Sequence, residues 1–172
     1  QYTDFLYRPR RPEELDTARG GGIIFNQIPH QIDIARLLNG SPVVSVRAHT
    51  AILDADRPTE GMCMALLSFA DGGSASLIYN GYDRFDSDVL HDWVGELGQL
   101  KQDGRQGATR RALEQFDGGA EAVLRAQRYG YGGGMKFAAG DGERWDQPHF
   151  GTILVSCEDA DLKPSRNGIM IY

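Results

Sequence analysis

The chain has 172 residues, of which 41% are hydrophobic and 24% are charged, a composition typical of one globular domain with a sizeable core. Its formal net charge of −6 argues against a nucleic-acid partner, because phosphate binding needs a concentrated basic surface. No apolar run approaches the roughly 20 residues that span a bilayer and we expect no signal peptide, so the sequence indicates a cytoplasmic protein without a membrane partner.

The first forty residues are predicted to contain a strand, an irregular segment and a helix. Residues 1–7 alternate aromatic and polar side chains, which favours a strand, and Pro9 and Pro12 then exclude a regular element. Apolar side chains next recur at helical spacing: Ile28, Ile32, Ala35 and Leu38. We therefore predict a helix from Pro29 to Asn39, which Gly40 can close in the left-handed conformation.

The middle of the chain is predicted to form strands. Residues 42–53 alternate and indicate one strand. The segment MCMALLSFADGGSASLIYNGY indicates a hairpin that turns at Asp71-Gly72-Gly73. Residues 93–102 form a weaker strand candidate.

The last third of the chain is predicted to add helices and closing strands. Residues 104–128 have helical periodicity, which 117–119 divide into two helices, and a loop rich in glycine and aromatic residues follows. Residues 151–158 and 168–172 are predicted strands. Consecutive strands with helices outside their run imply an α+β fold, with an open, mainly antiparallel sheet and helices on one face.

Neither the cysteines nor the histidines indicate a metal site. Cys63 and Cys157 lie far apart in apolar, strand-like runs, so we predict buried free thiols in a reducing compartment. His49, His91 and His149 have no spacing with acidic residues or cysteine that is typical of metal ligands.

The glycine runs do not match a nucleotide-binding fingerprint. Gly20-Gly21-Gly22 follows irregular, proline-containing sequence rather than a strand, and YGYGGGMKF has no lysine at Walker spacing. We therefore expect no cofactor-binding residues in this chain.

Three polar residues follow the first glycine run at short spacing. Asn26 and His30 are four residues apart, and His30 and Asp33 are three apart, so a helix continuous from about Asn26 would present all three near one face. His30 could then exchange a proton with a substrate. Alternatively, Asn26 caps the helix, His30 is a surface residue and Asp33 is a helix charge.

These residues lie in a segment that resembles a known family. GGGIIFNQIPHQIDIARLLNG is similar to the signature of the C-terminal domain of Gfo/Idh/MocA oxidoreductases, which runs GGG, apolar residues, Asp-x-Gly-x-His-x-x-Asp and an apolar stretch ending in Gly. Other motifs resemble the family in the same order: PVVSVRAHT, MALLSFADGGSASLIYN, VGELGQL and DLKPSRNGIMIY. The helix entry and the VSCE segment most resemble phthalate dihydrodiol dehydrogenases.

The resemblance implies that residues 1–172 form a single substrate-binding and oligomerisation domain of a longer, two-domain NAD(P)-dependent enzyme. The Rossmann domain and its Glu-Lys-Pro motif are not in this sequence, and the chain starts at Gln1, so we expect a fragment that is inactive alone. The implied substrate is a small hydroxyl-bearing molecule, with a cis-dihydrodiol of an aromatic dicarboxylate as the leading candidate. A sugar or inositol dehydrogenase and a non-catalytic binding module are the alternatives.

The resemblance also assigns roles to single residues. The family's catalytic histidine falls on His30 and its second acid on Asp33, for which we expect a supporting role. Asn26 stands where the family has Asp, and an amide can orient a substrate hydroxyl but cannot act as a base. Arg8 and Arg10, in the cationic run that also contains Arg11, are predicted to bind a substrate carboxylate; a solvated loop is the alternative.

The resemblance implies an oligomer as well. An apolar sheet face that carries residues such as Met62, Met64 and Leu66 must be buried somewhere. In the family such faces pair across a two-fold axis. We therefore expect a homodimer, or a dimer of dimers, through this face.

Overall fold

The computed structural model describes residues 1–101, 104, 106–115, 120–129 and 146–172. Within them the fold is α+β, with two antiparallel sheets of three strands each and several helices. This confirms the predicted fold class. The predicted helix break at 117–119 and most of the predicted glycine-rich loop lie outside the described residues.

The N-terminal segment folds as short 3₁₀ helices, at Phe5–Tyr7, Pro12–Leu15 and Thr17–Arg19. The prediction of a strand over residues 1–7 was therefore wrong. Only Tyr2 forms a bridge, to Asn80, whereas Phe5, Leu6 and Tyr7 are all buried. A strand would turn alternate side chains to opposite faces, so a tight helical turn is what buries three consecutive large side chains.

Two consecutive helices follow the glycine run, α1 (Ile23–Asn26) and α2 (Ile28–Asn39). Gln27 separates them with φ −119°, so the helix is not continuous from Asn26 as one interpretation of the spacing required. Helix α2 confirms the predicted helix almost to the residue. Gly40 closes it at φ 77°, and its N–H donates to the Arg36 carbonyl at 2.9 Å.

The first sheet has the strand order β1 (Val43–Ala51), β2 (Met62–Phe69) and β3 (Ser74–Asn80). Strands β2 and β3 form the predicted hairpin, with Gly72 at φ 91° in the turn. All pairs in this sheet are antiparallel, so the hairpin and β1 build one meander.

The second sheet consists of β4 (Val155–Ser156), β5 (Asp161–Ser165) and β6 (Gly168–Ile171). The strand predicted over 151–158 is thus only two residues long. The weaker candidate at 93–102 forms a single bridge, Val94 with Leu100.

Helices α3 (Ala108–Glu114) and α4 (Ala120–Tyr129) confirm the helical pattern in this region. No helix in the described part of the chain is long and apolar enough to cross a membrane.

The core lies between one face of the first sheet and the elements that precede it. Cys63, Ala65 and Tyr79 project from β2 and β3 towards Leu6 and Ile23. The opposite sheet face carries half-exposed apolar side chains: Met64, Leu66 and Ile78.

The prediction of two buried thiols was wrong for one of them, because Cys157 is exposed while Cys63 is buried. Cys157 follows directly after the two-residue strand β4, outside the core that buries Cys63.

Candidate functional site

His30 lies in the first turn of α2 and is exposed. Its imidazole stacks on the ring of Phe150, with centroids 5.2 Å apart and planes 22° from parallel. Pro29 occupies the start of the helix, where its missing N–H costs no hydrogen bond. The contact places an accessible imidazole against an aromatic ring at the start of α2.

Asn26 is bonded to the glycine run that precedes it. Its Nδ2 donates to the Gly22 carbonyl at 2.6 Å and to the Gly20 carbonyl at 3.3 Å. An aspartate carboxylate could not donate either bond. The structure therefore gives Asn26 a role in holding the turn, beside its predicted role towards a substrate.

Asp33 lies three residues after His30 on α2 and is exposed. Its Oδ1 is 3.5 Å from the Arg36 guanidinium, in a solvent-exposed pair. Such pairs contribute little to stability. The structure thus keeps His30 and Asp33 on one helix and places Asn26 on the preceding one.

Arg8 is bonded to two carboxylates of its own chain. Its Nε is 2.7 Å from Asp4 Oδ1, and its Nη2 is 3.2 Å from Glu96 Oε2. Burial opposes its charge, but Asp4 and Glu96 outweigh that effect and raise the pKa of Arg8 above its usual range.

Arg10 is also held within the fold. Its Nη2 donates to the Phe5 carbonyl at 2.6 Å, and its guanidinium carbon lies 3.7 Å from the Phe5 ring centroid. Arg11 pairs with Glu13 and Glu14. Arg8 and Arg10 are therefore partly buried and already bonded, whereas Arg11 remains exposed to solvent.

A cavity of about 230 Å³ adjoins the His30 contact, because Phe150 forms part of its wall. Ile34, which lies one helical turn after His30 and so on the same side of α2, is another wall residue. The remaining wall comes from three segments of the chain: His91, Val94, Gln147, Pro148, His149, Gly151, Ile153, Pro164, Ser165 and Arg166.

Two histidines stack in this wall, with the His91 and His149 centroids 4.1 Å apart. The Gly151 N–H donates to His149 Nδ1 at 2.9 Å, so His149 Nε2 carries the proton and donates to the Val94 carbonyl at 2.7 Å. Burial lowers the pKa of His91 to about 4, and His149 and Lys163 act in the same direction. Reasoning from sequence missed this pair, because no motif links two residues so far apart.

Among the described residues, no group of three or more His, Cys, Asp or Glu side chains could hold a metal ion.

Comparison of the sequence with models of protein families identifies the family of this chain. The model of the Gfo/Idh/MocA C-terminal domain matches residues 1–101, which include Asn26, His30 and Asp33 with α1, α2 and the whole first sheet. The chain belongs to the Gfo/Idh/MocA family. This confirms the resemblance.

Two longer proteins are similar to this Gfo/Idh/MocA domain over nearly its whole length. The 1-carboxy-3-chloro-3,4-dihydroxycyclohexa-1,5-diene dehydrogenase of Comamonas testosteroni is 41% identical over an alignment that covers 99% of this chain. The crystal structure of a protein from Bordetella bronchiseptica RB50, proposed to be a dehydrogenase, is 52% identical and superposes with a TM-score of 0.90 over 99% of this chain. The chain spans 43% of the length of each.

The match to the family model ends before most of the cavity wall. Phe150 and the segment 164–166 lie beyond residue 101, whereas His30 and Ile34 lie within it. The wall therefore combines the common C-terminal domain with a later part of the chain.

Proposed function

We propose that this chain is the substrate-binding half of an NAD(P)-dependent dehydrogenase that oxidises a dihydrodiol on a carboxylated ring. The observation that carries the proposal is the 41% identity, over the whole chain, with a Comamonas enzyme whose name specifies a carboxylated dihydroxycyclohexadiene. The exposed imidazole stacked on Phe150, which also lines a ring-sized cavity, supports it. A dicarboxylate dihydrodiol is one member of this substrate class.

In this proposal His30 takes the proton of the substrate hydroxyl as hydride leaves the same carbon for the nicotinamide. Its stacking on Phe150 supports the role, because a general base must be held within hydrogen-bond reach of its proton. Asn26 and Asp33 act in support, at the turn before α2 and on its exposed face. Carboxylate binding by Arg8 and Arg10 stays a prediction, and both already bond to groups of this chain.

We place the cofactor on a part of the protein outside these 172 residues. The relatives are more than twice as long as the chain, and the glycine runs do not form a dinucleotide fingerprint. The proposal therefore includes a second domain that binds NAD or NADP. It also includes a homodimer or dimer of dimers through the first sheet, whose outer face bears half-exposed Met64 and Leu66.

Steady-state kinetics of the full-length protein test this function. With NAD⁺ or NADP⁺ and a dihydrodiol carboxylate, we expect turnover, and His30→Ala should lower kcat/KM by about 10²-fold or more, the usual scale of general acid–base catalysis. Leu37→Ala is the matched control, because Leu37 lies on the same helix and is 82% exposed. An unchanged rate for His30→Ala would remove this residue from the mechanism.

The same assay separates the alternatives. Preference for sugars or inositols over carboxylated diols would assign a different substrate class. Absence of turnover with retained ligand binding would favour a non-catalytic module. The hydrogen bonds of the Asn26 amide to the turn favour that module, since they give this residue a structural use without catalysis.

A further inference from the structure

The cavity beside His30 has the size and walls of a site for one substituted ring. Its apolar walls come from α2 and from the later segments: Ile34, Val94, Pro148, Phe150, Ile153 and Pro164. An apolar protein cavity of about 150 Å³ is enough for benzene. About 230 Å³ therefore leaves room for a six-membered ring with small substituents.

Arg166 supplies a cation at this wall. Its Nε and Nη2 lie 3.1 and 2.6 Å from Asp146 Oδ2, and the Asp146 carboxylate is almost fully buried. This pair fixes the plane of the guanidinium and leaves the Nη1 hydrogens directed away from Asp146. A fixed guanidinium edge is a good donor for a carboxylate.

The histidine pair supplies neutral polar groups. His91 Nε2 is buried and has no hydrogen-bond partner in the described part of the chain, although the His91 ring lines the cavity. One nitrogen of a neutral imidazole donates and the other accepts, so the unpartnered Nε2 can pair with a ligand hydroxyl in either tautomer.

We propose that this cavity binds the ring of a monocyclic hydroxylated carboxylate, with its carboxylate at Arg166 and its hydroxyl-bearing edge towards Phe150, the wall residue on which His30 stacks. This inference rests on the proposed function and adds where the substrate ring lies. It makes Ile34 and Arg166, which line the cavity, the residues that determine specificity for ring size and for the carboxylate; Arg8 and Arg10 are not among its wall residues.

Calorimetric binding of 3,4-dihydroxybenzoate to the full-length protein, with saturating NAD⁺ or NADP⁺, tests the assignment. This probe has a carboxyl group and two hydroxyls on one six-membered ring. Ile34→Phe fills the cavity and should raise Kd by about tenfold or more. Leu37→Phe adds the same side chain to an exposed position of the same helix and should leave Kd within about twofold.

A second variant tests the carboxylate contact without filling the cavity. The wild type should bind 3,4-dihydroxybenzoate about tenfold more tightly than catechol, which lacks the carboxyl group. Arg166→Gln keeps a donor for Asp146 and should abolish most of that preference. A general loss of structure would weaken both ligands alike, so the ratio of the two Kd values reports the contact itself.

These experiments test the cavity assignment separately from the proposed dehydrogenase reaction. Two results would overturn the cavity assignment, even if the wild type turns over a diol. One is that the wild type does not bind the probe at millimolar concentration. The other is that Ile34→Phe leaves Kd unchanged and Arg166→Gln leaves the ligand preference unchanged. Binding that responds to both variants supports the assignment. It does so even if no turnover with NAD(P) is found, a result that would contradict the proposed dehydrogenase alone.

Discussion

At position 26, an amide nitrogen in place of a carboxylate oxygen changes which hydrogen bonds the side chain can make. The family pattern has Asp there, but in this chain Nδ2 donates to the carbonyls of Gly20 and Gly22. A carboxylate at the same place would face those carbonyls without a proton to donate. The amide thus stabilises the turn that leads into α1, and His30 is left as the ionisable group at the start of α2.

At the residue scale, we predict that His91 makes stability depend on pH. In the folded state, burial is the main cause that lowers the pKa of His91 from 6.5 to about 4, and His149 and Lys163 act in the same direction. The Gly151 backbone and Asp92 act in the opposite direction but are outweighed. As pH falls from about 6.5 to 4, the unfolded chain binds a proton that the folded chain does not. His91 therefore leaves the free energy of unfolding unchanged above about pH 6.5 and lowers it by about 2–3 kcal/mol towards pH 4.

Urea unfolding at pH 7.5 and 4.5 measures this contribution. His91→Gln should lose less stability between the two pH values than the wild type does. His49→Gln, at an exposed position of β1, should behave as the wild type does. An equal loss in the wild type and His91→Gln would show that other groups dominate; Asp88, almost fully buried and 3.7 Å from His149, is the first to examine.

At the scale of elements, the glycine run connects the N-terminal segment to α1, and this connection requires a backbone conformation that favours glycine. Gly22 has φ 79° and ψ −174°, a region that is nearly restricted to glycine. A Cβ there would meet Thr59 Oγ1 and lie 2.5 Å from Glu60 Oε1. Since both neighbours are buried, neither can move aside easily. The backbone at Gly22 is thus packed closely against the buried side chains of Thr59 and Glu60.

We therefore predict that Gly22→Ala lowers the free energy of unfolding by about 3 kcal/mol or more, from backbone strain and steric overlap together. Gly20→Ala is the matched control. Gly20 has a similar φ of 82°, but nothing lies within 4 Å of its added Cβ, so the expected loss is about 1 kcal/mol. Urea unfolding measures both, and equal losses would contradict a role for packing at Gly22.

At the scale of the whole molecule, the first sheet is covered on one face only. Cys63, Ala65 and Tyr79 pack into the core, whereas Met64 and Leu66 on the other face are each 47% exposed. Exposed apolar area of this kind is typical of an interface. The proposed dimer would bury it against the same face of a second copy.

Sedimentation of the full-length protein tests the dimer. We expect the wild type to sediment as a dimer or tetramer, and Leu66→Lys to reduce the assembly, because two-fold symmetry places both introduced charges in the same apolar contact. Leu37→Lys introduces the same charge on α2, at a more exposed leucine, and should leave the mass unchanged. A monomeric wild type would contradict the proposed interface.

Local pattern was enough to determine several elements of this protein. The apolar spacing, Pro29 and Gly40 predicted α2, and Asp71-Gly72-Gly73 predicted the turn between β2 and β3. These predictions succeeded because capping and turn geometry depend on residues close in sequence. The order of such motifs also sufficed to identify the family and to single out His30.

Only the tertiary structure decided which groups His30, the arginines and the other histidines contact. Phe150 against His30, Glu96 against Arg8, and His149 against His91 are all pairs from distant parts of the chain. Burial is decided in the same way, which is why Cys157 is exposed in spite of its apolar surroundings in sequence. Side-chain spacing limits neighbours on one helix or strand, but contacts between elements depend on how the elements pack, and packing is a property of the whole fold.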